Sequence, residues 1–161
     1  MDSYHGCPCK FFSPDTNLMT TLVKVTNTKN VWSFDLNQNT RKQLTFGSIG
    51  SATLKQQKVY FQYVGQQGLW VMDRKNSKIE QHTENLQPNS KLLSMDESGV
   101  YYINGSICQE SDIFYQQFDS EDRITFLPRA NKNTQTSDFN HQKGALTTQC
   151  QLGKSNIMRY E

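Results

Sequence analysis

The stretch NVWSFDLNQNTRKQLT (residues 30–45) returns as GLWVMDRKNSKIEQHT (68–83), as DIFYQQFDSEDRITFL (112–127) and, cut short, as NIMRYE (156–161). The copies start 38, 44 and 44 residues apart. Trp32 recurs as Trp70, Asp35 as Asp73, Gln43 as Gln81 and Thr45 as Thr83, while Phe114 and Met158 take the tryptophan position in the later copies. A repeat of about this period is the signature of a β-propeller blade. In such a scaffold function lies on surfaces, so the residues speak more clearly of architecture than of activity.

Working outward from the repeat, each unit divides into short strands where period-two apolar patterning is interrupted by Gly, Asn and Asp. The second unit is the clearest, with Ile49 to Leu54 as inner strand, Lys58 to Tyr63 as second, Leu69 to Asp73 as third and Lys78 to Gln81 as a polar outer strand. The third unit repeats this with Lys91 to Ser94, Gly99 to Ile103, Ile113 to Phe118 and Arg123 to Phe126. The first runs from Phe11-Phe12 through Leu18 to Val25 and Val31 to Leu36, ending at Thr45. The fourth has Asp138-Phe139, Ala145 to Thr148 and Ile157 to Tyr160, and ends before a fourth strand. The predicted fold is therefore all-β: a β-propeller segment of about four blades, each a four-stranded antiparallel sheet, incomplete or open. Blades are expected at about 11–46, 47–83, 84–127 and 128–161, with 1–10 as an unplaced N-terminal segment. Asn133 to Ser137 has no assignment either. No stretch holds a helical period of 3.6, so helix should be nearly absent.

Composition narrows the function classes. With 35% hydrophobic and 20% charged residues and a mean hydropathy of −0.73, no apolar run approaches the about 18 residues of a membrane span. The opening residues Met1 to Gly6 lack the basic start and apolar stretch of a secretory signal. Net charge is +2, from 17 Lys and Arg against 15 Asp and Glu, scattered singly, which gives no footprint for a nucleic-acid groove.

Phe12-Ser13-Pro14-Asp15 before a strand, then Val31 to Leu36 with its Trp and terminal Asp, a polar turn and a closing Leu44-Thr45, resembles the TolB-type, WD-like propeller repeat over residues 11 to 161. That repeat carries Gly after the Asp, where this chain has Thr16-Asn17; later units keep Asp96-Glu97-Ser98-Gly99 and His141-Gln142-Lys143-Gly144 at that turn. The last residues, Ser155 to Glu161, resemble the end of propellers attached to membrane-bound winged-helix transcriptional regulators of the CadC and ToxR kind. This implies a periplasmic sensing or partner-binding domain, with the DNA-binding half elsewhere. Two other readings stand beside it: a periplasmic TolB-like scaffold that docks other proteins, and the propeller of a prolyl-oligopeptidase-type serine peptidase without its hydrolase domain.

Residues able to carry chemistry read as structural. Cys7-Pro8-Cys9 beside His5 offers soft ligands, but a zinc site needs a second cluster at characteristic spacing and none follows. Cys108 and Cys150 lie in successive units near the loop after the second strand; equivalent loops of neighbouring blades need not approach within the about 7 Å that a disulfide requires, so free thiols are expected. His82 takes the place of Leu44 and Phe126, and His141 falls at a turn; neither has an adjacent nucleophile or orienting acid. Asp35 and Asp73 recur at the end of the third strand, where Asp caps turns by accepting from backbone amides. Trp32, Trp70 and Phe114 recur as blade-packing rings, expected to be largely buried, rather than as a stacking platform. Asn104-Gly105-Ser106 matches a glycosylation acceptor but is foremost a hairpin turn. The chain is thus expected to be non-catalytic, with no catalytic, cofactor-binding or metal residues, no cofactor, no membrane span and no nucleic-acid contact of its own. Its partner is a protein or small ligand. Met1 to Lys10 makes a poor closing strand, so an open arc that self-associates through its free blade edges is expected.

Overall fold

The computed structural model of the chain describes residues 10–12, 18–104, 112–127, 134–140, 144–151 and 154–160. All regular structure among them is β. The first sheet holds β1 (Lys10–Phe12), β2 (Leu18–Val25), β3 (Thr28–Asp35) and β4 (Thr40–Gln43). The second holds β5 (Ile49–Lys55), β6 (Lys58–Tyr63), β7 (Leu69–Asp73) and β8 (Ile79–Thr83). The third holds β9 (Ser90–Met95), β10 (Gly99–Asn104), β11 (Ile113–Gln117) and β12 (Arg123–Leu127). The fourth has three strands, β13 (Thr134–Asn140), β14 (Gly144–Gln151) and β15 (Lys154–Tyr160). Each sheet is an antiparallel meander in chain order.

Expected and observed strands coincide most closely in the second and third sheets, where hairpin turns are short and the apolar alternation is clean. The fourth sheet has the three strands that its sequence indicates, and part of the stretch with no assignment belongs to β13. Thr134-Gln135-Thr136 carries no apolar residue to mark a strand, yet pairs in register with Thr147 to Gln149 of β14. Backbone pairing, not side-chain patterning, defines that strand.

Neighbouring sheets meet in sequence: β5 lies against β2 and β3, β9 against β5, and β13 against β9. Alternation decides what fills each junction. In the first sheet Leu22, Val31 and Leu44 face forward, and Ala52, Val59, Phe61 and Met72 of the second sheet meet them. Leu69 leaves the other side of the second sheet toward Leu92, Met95, Val100 and Tyr102 of the third. The third sheet turns Tyr101, Ile103 and Ile113 away from that junction into a separate cluster. Full burial of an apolar side chain of this size contributes about 1.5–3 kcal/mol, so each sheet is stable only with a neighbour.

Polar side chains latch the sheets together. Gln62, 1% exposed, donates to the carbonyls of Gly68 (3.1 Å) and Gln87 (2.8 Å) and accepts from the Ser90 amide (2.8 Å). Ser51 Oγ accepts from the Leu92 amide at 2.8 Å, and Gln116 donates to the Asn85 carbonyl at 2.9 Å. These bonds satisfy backbone groups that burial would otherwise strand, each at a cost of about 1–3 kcal/mol.

Trp32, Trp70 and Phe114 hold matching register positions, opposite Gln43, Gln81 and Thr125 of the outer strands. They are half-buried rather than largely buried. The fully enclosed rings are their partners one strand further in, Phe61 opposite Trp70 and Tyr102 opposite Phe114. Both strands are flanked within their sheets, but Phe61 and Tyr102 sit in the buried core of the junction with the preceding sheet, whereas Trp70 and Phe114 pack against it from its margin.

Candidate functional site

The repeated turn between third and fourth strands builds the site. After β3, Asp35 Oδ1 accepts from the amides of Asn37 (2.9 Å) and Gln38 (3.0 Å). After β7, Asp73 Oδ1 accepts from Lys75 at 2.7 Å, and the Asp73 carbonyl accepts from Ser77 at 2.8 Å. Both carboxylates are turn caps, the role their recurrence indicates. The Arg74 amide donates to the Gln57 carbonyl of the β5–β6 turn at 3.1 Å, fixing the two turns side by side. From the first sheet, Lys42 Nζ donates to Ser77 Oγ at 3.4 Å.

Between these turns lies a cleft of about 420 Å³, lined among others by Ser33, Asp35, Lys42, Gln57, Arg74 and Lys75. Three cations face one carboxylate, and that carboxylate already serves the turn. Arg74 is the unusual member: both terminal guanidinium nitrogens are shielded from water and find no acceptor among the described residues. Burial pulls this guanidinium below the usual arginine range, a cost that an anion in the cleft would offset.

Two further groups were legible only in part. His82 stands edge-on between Tyr60 (5.2 Å) and Phe118 (4.5 Å), bridging the second sheet to the β11–β12 turn. Burial, then Lys58, depresses its pKa against the opposing effect of Glu80; it fills an apolar role, in keeping with the position it takes in the repeat. Asp96 Oδ1 accepts from the amides of Ser98 and Gly99, both at 2.8 Å, and from Tyr115 at 3.2 Å, while Oδ2 accepts from Tyr101 at 3.2 Å. Burial alone would raise the Asp96 pKa, but these four bonds outweigh it and hold it below the usual value.

His5, Cys7, Cys9, Cys108, His141, Gly105 and Ser106 lie outside the described residues. Cys150 lies at the end of β14, beside the loop that follows the second strand of its unit, and its side chain is likewise outside. Among the described residues no three His, Cys, Asp or Glu side chains converge as a metal site would require. Arg74 carried no signal in the sequence, because a turn residue of a degenerate repeat belongs to no motif. Gln62 and Gln116 did carry one, a polar residue within an otherwise apolar strand.

No protein family's sequence profile matches the chain, and no curated protein does. Among solved structures, TolB from Acinetobacter baumannii superposes with a TM-score of 0.51 at 14% identity, over 94% of this chain and 40% of that one. The fold is that of a TolB-like β-propeller. A chain of an S. cerevisiae complex of Dbp5, Nup159 and Gle1 with IP6 and ADP matches at a TM-score of 0.49 and 12% identity, over 89% of this chain and 47% of its own length. The chain thus spans less than half of the structures it resembles. No helix among the described residues is long and apolar enough to cross a membrane.

Proposed function

We propose that this propeller segment is a non-catalytic binding module whose first inter-sheet cleft takes an anionic group, carboxylate or phosphate, of a protein or small ligand. The observation that carries this reading is the sheltered, acceptor-free guanidinium of Arg74, with Lys42 and Lys75 on the same cleft. A planar guanidinium suits bidentate recognition of such groups. Ligands that bind only the folded chain raise its stability by mass action, so citrate, phosphate and an acidic peptide should each be titrated in thermal unfolding and calorimetry. A midpoint that rises with at least one anion in the natural chain, and does not in Arg74→Leu, supports the proposal; no anion-specific rise in the natural chain overturns it.

The wider setting that we infer is the sensor portion of a membrane-bound, winged-helix transcriptional regulator facing the periplasm, supported by the resemblance of Ser155 to Glu161 to the ends of such propellers. Neighbouring genomic sequence tests it. An upstream winged helix and membrane span are expected; a downstream α/β-hydrolase or a bare signal peptide would instead favour the peptidase or the scaffold reading.

A further inference from the structure

The cleft between the first and second sheets holds both signs of charge and keeps them apart. Asp35 stands opposite Leu18 of β2 and Thr40 of β4, and Ser33 stands opposite Lys42. Residues two apart on a strand share a face, so these side chains line the cleft from one wall. Asp35 and Lys42 are diagonal neighbours there, about 7–8 Å apart. Arg74 and Lys75 reach the cleft from the turn after β7. Among the described residues the ion pairs are Lys55 with Glu97 and Lys78 with Glu80, so Asp35 forms none with the three cations of its own cleft.

Each of these charges keeps bonding capacity in reserve. Asp35 commits Oδ1 to the amides of Asn37 and Gln38, while Oδ2 has no partner among the described residues. Both terminal nitrogens of Arg74 are without an acceptor there. Lys42 donates to Ser77 Oγ at 3.4 Å, which leaves two of its three ammonium protons. Holding opposite charges apart forgoes their attraction, and a ligand that carries both signs recovers it on both sides at once. The space between is bounded by aliphatic side chains, Leu18 and Leu44, the second of them buried.

We propose that the cleft takes an acidic amino acid, a small molecule with an ammonium beside two carboxylates on a short aliphatic stem. This rests on the anion reading of the same cleft and narrows it. Asp35 Oδ2 accepts from the ammonium, the Arg74 guanidinium takes one carboxylate, Lys42 and Lys75 take the other, and the stem lies on Leu18 and Leu44. Charge selects within the class: three cations against one carboxylate leave the cleft net positive, which a neutral zwitterion does not balance and a singly negative one balances in part. A phosphate or a plain dicarboxylate would set an anion against Asp35, a repulsion that the ammonium turns into attraction. At about 420 Å³ the cleft falls in the range of small-molecule sites, about 300–1,000 Å³.

Calorimetry with L-glutamate and glutarate tests this, since the two probes differ by the ammonium group alone. L-glutamate should bind about tenfold more tightly or better, the effect of one added charge-assisted hydrogen bond. Asp35→Asn keeps Oδ1 as acceptor for the turn amides and removes the charge, so the preference should vanish in it. Glutarate binding as tightly as L-glutamate overturns the proposal and leaves the anion reading standing; so does citrate or phosphate binding where L-glutamate does not. A preference that survives in folded Asp35→Asn overturns it as well. If no anion binds, both readings fall together. Should Asp35→Asn unfold, the natural chain is titrated across pH instead: the preference should be lost as pH rises through the pKa of the ligand's ammonium, and one that persists above it overturns the proposal.

Discussion

Tyr115 donates its hydroxyl to Asp96 Oδ1 at 3.2 Å, tying the third strand of the third sheet to the turn that opens its second strand. Burial, then the Asp96 charge and this hydrogen bond, push the phenol up to about 12 from 10.0. A group whose folded pKa is raised contributes stability that is whole below the unfolded value and is lost as pH rises through the folded one. Urea midpoints should therefore decline from about pH 10 to about pH 12, and less steeply in Tyr115→Phe; parallel declines would place the titration elsewhere. Asp96 acts at the other end. Its folded pKa is depressed, so its contribution is present above the ordinary 3.8 and is lost as pH falls through the folded value. In Asp96→Asn that acid-side loss should shrink.

Gly99 is constrained by the same turn. A Cβ there would stand 2.5 Å from the Gln116 carbonyl oxygen and 2.6 Å from the Tyr115 ring and hydroxyl. Backbone cannot yield as a flexible side chain can. Gly99→Ala should lose about 1–3 kcal/mol through overpacking, measured by the denaturation midpoint, and Tyr115→Phe should restore little of it because the carbonyl contact remains. An unchanged midpoint in Gly99→Ala would show that the strand shifts freely.

Ring burial sets a rank order. Phe61 is fully enclosed while Trp70, opposite it, is half-buried. Phe61→Ala should lower stability by about 3–5 kcal/mol, the range for a cavity left by a buried ring. Trp70→Ala should cost less, although the ring removed is larger. Chemical denaturation of both variants decides it, and a larger loss for Trp70→Ala would mean that its edge contact with Tyr63, at 5.0 Å, carries the junction.

Much of the fold was legible because a blade must alternate apolar and polar residues on a fixed period, and Val59, Phe61, Val100 and Tyr102 do so between short turns. The depth of each ring was not legible. Period-two patterning says which side a residue faces but not how close its strand lies to the junction's centre, so Trp70 and Phe61 look alike in sequence. The turn-capping role of Asp35 and Asp73 was readable, since a carboxylate at a strand end before a polar turn has nearby amides to accept from. The cleft was hidden, because it depends on Lys42 of one sheet meeting Arg74 of the next, a distance that no local spacing encodes. The polar start of β13 was hidden for a different reason: only its partner strand defines it.

The latches formed by Gln62, Ser51 and Gln116 all lie at the junction of the second and third sheets. Tension applied along the chain therefore meets one seam fastened several times over. Drawn from its ends, the polypeptide would shed its outer sheets first, each release paying out about 40 residues, or ~130–140 Å of slack, while the two middle sheets keep their grip on each other.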